Sequence, residues 1–259
     1  MDEAAVDAYL RRIGADRPAA PDVAGLRALH RLHLIAVPFE NLSVHLGEDI
    51  VLEEEALRAK LVDRRRGGFC YELNGAFASL LRALGYRVDL LGAQTFPDGR
   101  PSIPRSHLAL RVEAGDGSRW LADVGFGKHC TYPLSLDVPG EQRDPGGVFR
   151  LEEAAEGRLD VLRDGRLGYR LELTARELAD FERACLHHRT SPESHFTQAL
   201  VCSRLTEDGG RITLSGRQWV ATAAEGVRAE RRLGQDEVLA VYRSRFGLEL
   251  EREPRVAQP

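Results

Sequence analysis

Apolar positions at helical spacing open the chain: Val6, Tyr9, Leu10 and Ile13 recur at three- and four-residue intervals, and Leu26, Leu29, Leu32 and Leu34 repeat the pattern after Pro21. Two short helices are predicted there. Val37-Pro38-Phe39-Glu40-Asn41-Leu42 interrupts them as an extended turn, because a proline pushes the residue before it out of the helical region. A helical pattern resumes over 53–61. The pair Gly67-Gly68 then breaks the chain, and Leu73, Phe77, Leu80, Leu81 and Leu84 define one face of a helix that Gly85 stops.

After Gly85 the hydrophobic period shortens to two. Segments 87–91, 107–112 and 119–124 alternate as strands, separated by Pro/Gly-rich turns at 97–104 and 115–117, and further short strands are expected at 149–151, 159–162 and 169–173. The middle of the chain thus reads as a small sheet or barrel. Beyond it the pattern predicts a helix over 175–186, strands at 203–205, 211–214 and 218–220, a helix over 236–246, and a frayed tail from Glu251 to Pro259.

Composition acts mainly by exclusion. A chain of 259 residues, 43% hydrophobic and 29% charged, can bury a real core and is expected to form two or three small lobes. Net charge is -4 and the basic residues form no block, so no nucleic-acid footprint is present. No stretch approaches the roughly 18 apolar residues of a membrane span. The first thirty residues carry Asp2, Glu3, Asp7 and Asp16 without an apolar run, so no signal peptide is expected. Cys70, Cys130, Cys185 and Cys202 show no CxxC spacing, which together points to a reducing cytoplasm, with each thiol by default a small buried hydrophobe.

One cysteine has a chemically distinctive place. Cys70 follows the glycine pair at the start of a predicted helix, where unpaired backbone N–H groups and the positive dipole end favour a thiolate. On strand 107–112, His107 shares a face with Ala109 and Arg111 while Leu108, Leu110 and Val112 face the other way. Asp123 is expected on the next strand of a hairpin, where its carboxylate and the imidazole meet across the ladder. If that pair faces Cys70, the three supply a thiol, a base and a group that orients the base. Spacing alone leaves open the plainer reading, in which His107 and Asp123 are satisfied polar groups.

Five segments carry a family resemblance. Val37-Pro38-Phe39-Glu40-Asn41-Leu42, Arg66-Gly67-Gly68-Phe69-Cys70, Ser106-His107-Leu108, Asp123-Val124-Gly125-Phe126-Gly127 and Thr190-Ser191-Pro192-Glu193-Ser194-His195-Phe196 occur in the order, and over the length, seen in the arylamine N-acetyltransferases, which the chain resembles. The resemblance implies an α+β fold with a cysteine-protease-like core: a helical bundle over 1–85 carrying the cysteine, a β-barrel over 86–189 carrying the histidine and aspartate, and an α/β lid over 190–259. It implies a ping-pong reaction in which Cys70 takes acetyl from acetyl-coenzyme A and passes it to an arylamine, hydrazine or arylhydroxylamine. Neither a metal nor a covalently held cofactor is expected.

By family position Phe39, Thr95, Phe126 and Phe196 are expected walls of the acceptor pocket, and Gly125 and Gly127 a turn that lets the pantetheine arm approach the backbone. Glu40 and Arg66 are candidates for a buried pair bracing the Cys70 loop; His187, His188 and His195 are expected to be structural or exposed. The chain departs from many relatives at Cys185-Leu186-His187-His188 and at Thr95, where an apolar residue is common. Its compact C-terminal lobe resembles the bacterial members. Two alternative activities fit the same residues: an amide synthase that releases or closes a polyketide chain, and a cysteine hydrolase or transglutaminase-like enzyme.

Overall fold

The computed structural model describes residues 1–256 of the chain. Both opening helices form, α1 over Glu3–Ile13 and α2 over Val23–Ala36, each started by an aspartate whose carboxylate accepts a backbone N–H of the first turn: Asp2 from Ala5, Asp22 from Gly25. The Pro38 segment gives a two-residue strand, β1 at Phe39–Glu40, followed by α3 at Leu42–Leu46. The next helical stretch divides into α4, Glu54–Arg58, and a wider π-helical turn at Ala59–Asp63. Helix α5 runs over Cys70–Ala83, and nearly all of it is buried.

Strands β2 (Arg87–Thr95), β3 (His107–Glu113), β4 (Arg119–Ala122), β5 (Leu134–Ser135), β6 (Glu141–Asp144), β7 (Gly147–Ala154), β8 (Arg158–Arg163) and β9 (Arg166–Arg176) form one antiparallel, barrel-like sheet. Its order is β5-β4-β3-β2-β9-β8-β7-β6. The alternation along β3 sorts two cores. Leu108, Leu110 and Val112 pack with α5, α2 and α1, whereas Ala109 joins Leu91, Leu121, Phe149, Val161, Tyr169 and Leu171 inside the sheet.

The helix expected over 175–186 starts later than its pattern suggests, because β9 continues to Arg176 and a 3-10 turn at Leu178–Phe181 precedes α6 (Glu182–Thr190). After α7 (His195–Gln198), strands β10 (Cys202–Leu205), β11 (Arg211–Ser215), β12 (Gln218–Thr222) and β13 (Arg228–Arg232) complete a second sheet. Its far member is β1, paired with β10 through Phe39–Ser203 and Glu40–Cys202. Helix α8 (Val238–Val241) and a π-helical turn at Tyr242–Phe246 cover this sheet, burying Tyr242 and Phe246 against Leu214 and Cys202. The tail expected to fray is instead packed through Val256, with Pro254 buried and Leu250 and Val256 against this core; residues 257–259 lie outside the described part.

Candidate active site

Cys70 is the first residue of α5, and the chain reaches it through a tightly built turn. A Cβ on Gly67 would stand 2.0 Å from the Pro38 carbonyl oxygen, and one on Gly68 would stand 2.6 Å from Glu72 Oε2. Only glycine fits at either place. Glu72, one turn into the helix, accepts the Phe69 backbone N–H at 3.1 Å and is itself paired with buried Lys60. On the other flank Arg66 pairs with Glu40 at 3.1 Å and Glu48 at 2.9 Å, both guanidinium and Glu40 carboxylate being buried, so this pair does brace the turn.

His107 opens β3, and its Nε2 lies 2.8 Å from Asp123 Oδ2 with both side chains buried. The contact is made differently from the cross-ladder meeting that alternation predicts. Strand β4 ends at Ala122, opposite Leu110, and Asp123 stands just beyond it where the backbone turns toward α5. The other oxygen, Oδ1, accepts from Asn74 Nδ2 at 2.9 Å and from the Gly125 N–H at 3.0 Å. Asn74 also donates to Leu108 O and accepts the Val124 N–H.

Asn74 was not singled out by the sequence pattern, yet it lies four residues after Cys70 and therefore on the same face of α5. That spacing was the available clue. His30 is a second unforeseen support: its Nε2 accepts the Asp123 N–H at 3.1 Å while its Nδ1 donates to Thr131 O at 2.9 Å, which fixes a neutral tautomer. Burial lowers its basicity in the same direction.

Electrostatics separates the two acidic members. Burial opposes the charge of Asp123, but the adjacent His107 and the hydrogen bonds from His107 and Asn74 outweigh it and hold the carboxyl well below the usual carboxylate range. For Cys70 burial dominates and pushes the thiol up, with the negative charge of Asp123 adding to the effect and the Leu108 and Tyr71 backbone amides opposing it. The helix start alone does not make this thiol acidic. A thiolate here needs a positive partner.

A cleft of about 410 Å³ opens on these residues. Cys70, His107 and Gly125 line it, as do all four expected walls: Phe39, Thr95, Phe126 and Phe196. Phe196 packs on Phe69 with ring centroids 5.3 Å apart, and Phe126 meets His107 edge-on at 5.0 Å. Gly125 is required for the approach itself, since a Cβ there would lie 2.7 Å from Cys70 Cα. Gly127, with φ of +83°, turns the chain behind Phe39.

His188, expected to be structural or exposed, also lines the cleft, whereas His187 is half-buried and His195 exposed outside it. Cys130, Cys185 and Cys202 are buried and free. A larger groove of about 920 Å³, between Asp63–Arg66 and Arg243–Arg252, contains none of the three central residues. Among the described residues no group of three or more His, Cys, Asp or Glu side chains stands in a metal-binding arrangement, and no helix is long and apolar enough to cross a membrane.

The sequence matches a family profile described as N-acetyltransferase over residues 22–255. It is 38% identical over 215 residues to an arylamine N-acetyltransferase / N-hydroxyarylamine O-acetyltransferase of Salmonella typhimurium, covering 80% of this chain and 75% of that protein. To the arylamine N-acetyltransferase of Escherichia coli it is 34% identical, covering 93% of this chain and 87% of the other. The solved structure of the Salmonella typhimurium arylamine N-acetyltransferase superposes with a TM-score of 0.88 at 31% identity over 96% of this chain and 92% of its own. That of the Mycobacterium marinum enzyme in complex with CoA gives 0.85 at 31% identity, over 94% and 92% respectively. With family profile, relatives and fold in agreement, the chain belongs to the arylamine N-acetyltransferases and is an acyltransferase.

Proposed function

We propose that this acetyltransferase works by ping-pong transfer through an acetyl-Cys70 thioester, from acetyl-coenzyme A to the nitrogen of an arylamine, hydrazine or arylhydroxylamine. The observation that carries the reading is that Cys70 and His107, the latter paired behind it with buried Asp123, line one aromatic-walled cleft. The Cys70 proton passes to His107, whose imidazolium is held by Asp123, and the thiolate attacks the acetyl carbon. Coenzyme A leaves as its thiolate and takes the proton from His107. In the second half the amine attacks the Cys70 thioester, the carbon–sulfur bond breaks, and the amine proton travels through His107 to the departing sulfur.

The sequence of steps fits the opposing electrostatic tendencies. A thiol raised by burial stays protonated until a base accepts its proton, and a carboxyl held ionised beside His107 favours that acceptance. Phe39, Phe126 and Phe196 support exclusion of water, which competes with the amine for the thioester. A cleft of about 410 Å³ suits one aromatic ring beside an acyl group. In this reading Gly125 and Gly127 border the path of the pantetheine arm, and segments 1–85, 86–189 and 190–259 supply nucleophile, base pair and lid. The four free buried cysteines support work in a reducing cytoplasm.

Intact-protein mass spectrometry tests the proposal. Mixing with acetyl-coenzyme A should add one acetyl group, mapped to Cys70 and discharged by an arylamine. An unmodified Cys70 overturns it.

A further inference from the structure

Two cleft side chains share one acceptor, the backbone oxygen of Ser106: the Cys70 thiol lies 3.9 Å from it and His188 Nε2 lies 3.0 Å from it. A carbonyl only accepts, so Nε2 of His188 carries the ring proton. The ring is held among aromatic neighbours, edge-on to Phe196 at 5.2 Å and tilted against Tyr71 at 6.1 Å. Burial pushes this imidazole down to about 4, so it is neutral in the physiological range. Its Nδ1 is consequently a lone-pair acceptor. Among the described residues it has no hydrogen-bond partner, and it is not sealed from solvent.

We propose that His188 Nδ1 is a positioning acceptor for the incoming amine, holding one N–H of the nucleophile while its nitrogen lone pair is turned toward the acetyl carbon on Cys70. The inference rests on the acetyl-Cys70 reading. A primary arylamine has two N–H bonds. One proton leaves through His107 as the carbon–nitrogen bond forms and Cys70 departs; the other remains on the product amide, and it is this one that His188 holds. In the first half-reaction the reacting thioester carries no N–H of its own, the nearest being the pantetheine amide two methylenes beyond the sulfur, so Nδ1 holds no hydrogen of an attacking atom there. A secondary arylamine has only the N–H that His107 removes.

The two half-reactions, timed separately by rapid mixing and mass spectrometry, decide the matter. His188→Phe should acetylate Cys70 within about twofold of the parent rate yet deliver acetyl to a primary arylamine about tenfold more slowly, the scale of one lost hydrogen bond. His188→Gln, which keeps a donor for Ser106 O and an acceptor oxygen, should recover most of that loss. With N-methylaniline, parent and His188→Phe should transfer at equal rates; His188→Leu replaces His188→Phe in these comparisons if the latter does not fold. Equal slowing of both half-reactions, or unchanged transfer to the primary amine, overturns the inference. Failure of the parent enzyme to acetylate Cys70 at all overturns the acetyl-cysteine reading instead.

Discussion

Asp123 stands 2.8 Å from His107 Nε2 through one carboxylate oxygen and is anchored through the other by Asn74, a residue of the same helix that begins with Cys70. The helix that presents the thiol therefore also aims the carboxylate. Asp123→Asn keeps the shape of this contact but removes the charge that sustains a protonated His107. Acetyl transfer should fall by about a hundredfold or more, the scale of a disabled acid–base catalyst, in a protein that is less stable but still folded at the assay temperature. Steady-state kinetics beside a melting curve checks the pair of outcomes.

Stability should also register Asp123. A carboxyl whose folded pKa lies below its ordinary 3.8 binds protons less readily folded than unfolded. Its contribution is complete above that value and is lost as pH falls from there through the depressed folded value. Denaturant unfolding between pH 6 and pH 3 should show the parent losing more stability over the acid end of this range than Asp123→Asn; parallel curves for the two proteins contradict the linkage.

The thiol makes an opposite demand. Burial places Cys70 above its ordinary value of 9.0, so without a positive partner the thiolate appears only as pH rises through that elevated value. With His107 as proton acceptor, alkylation by iodoacetamide should already proceed near neutrality. In His107→Gln the inflection should move above pH 9, and an unchanged alkylation profile would show that His107 does not hold the proton.

Glu40 is fully buried against Arg66, and its Oε2 also accepts the Leu42 N–H at 2.6 Å. Glu40→Ala leaves a buried guanidinium with Glu48, itself partly exposed, as its one carboxylate partner among the described residues, beside the weaker contact to Ser43 Oγ. A loss of about 3 kcal/mol is expected from equilibrium urea unfolding, as for other buried pairs broken on one side. A change below about 1 kcal/mol would mean that Glu48 alone satisfies the arginine.

Gly125→Ala tests the approach of the Asp123 turn to Cys70. Its Cβ would sit 2.7 Å from both Cys70 Cα and Asn74 Nδ2, so backbone must move. About 1–3 kcal/mol of destabilisation is expected, accompanied by loss of Cys70 acetylation. Wild-type acetylation in a stably folded Gly125→Ala protein would show that the site tolerates the shift.

Much of this site was legible because burial writes itself into periodicity. The alternation His107-Leu108-Ala109-Leu110 correctly divides two cores, and the glycine pair before Leu73 correctly places Cys70 at a helix start. What stayed hidden lacked that imprint. Strands β6 and β13, Glu-Gln-Arg-Asp and Arg-Ala-Glu-Arg-Arg, pair by backbone hydrogen bonds while exposing or half-exposing every side chain, so no apolar rhythm marks them. His30 and Asn74 are polar residues on otherwise apolar helix faces, and their purpose is set by Asp123, 93 and 49 residues away, whose backbone N–H His30 accepts and whose carboxylate Asn74 holds. In the sequence His188, like His187 and His195, has no metal-ligand companion to single it out; only the return of α6 over Ser106 does so.

Strand β1 is only two residues long, yet it touches three parts of the molecule. Phe39 bridges Gly68 in the loop before Cys70, pairs with Ser203 of β10, and places its ring on the cleft. Glu40 meanwhile donates its N–H to Gly68 O at 2.8 Å, and its carboxylate holds Arg66. The last quarter of the chain is thus a splint set against the Cys70 loop. Removing the strands after residue 200 would leave the Cys70 sulfur attached to its helix but strip the loop of the edge that keeps it in shape, so on the proposed acetyl-Cys70 route acyl transfer is a readout of whether the whole chain has folded.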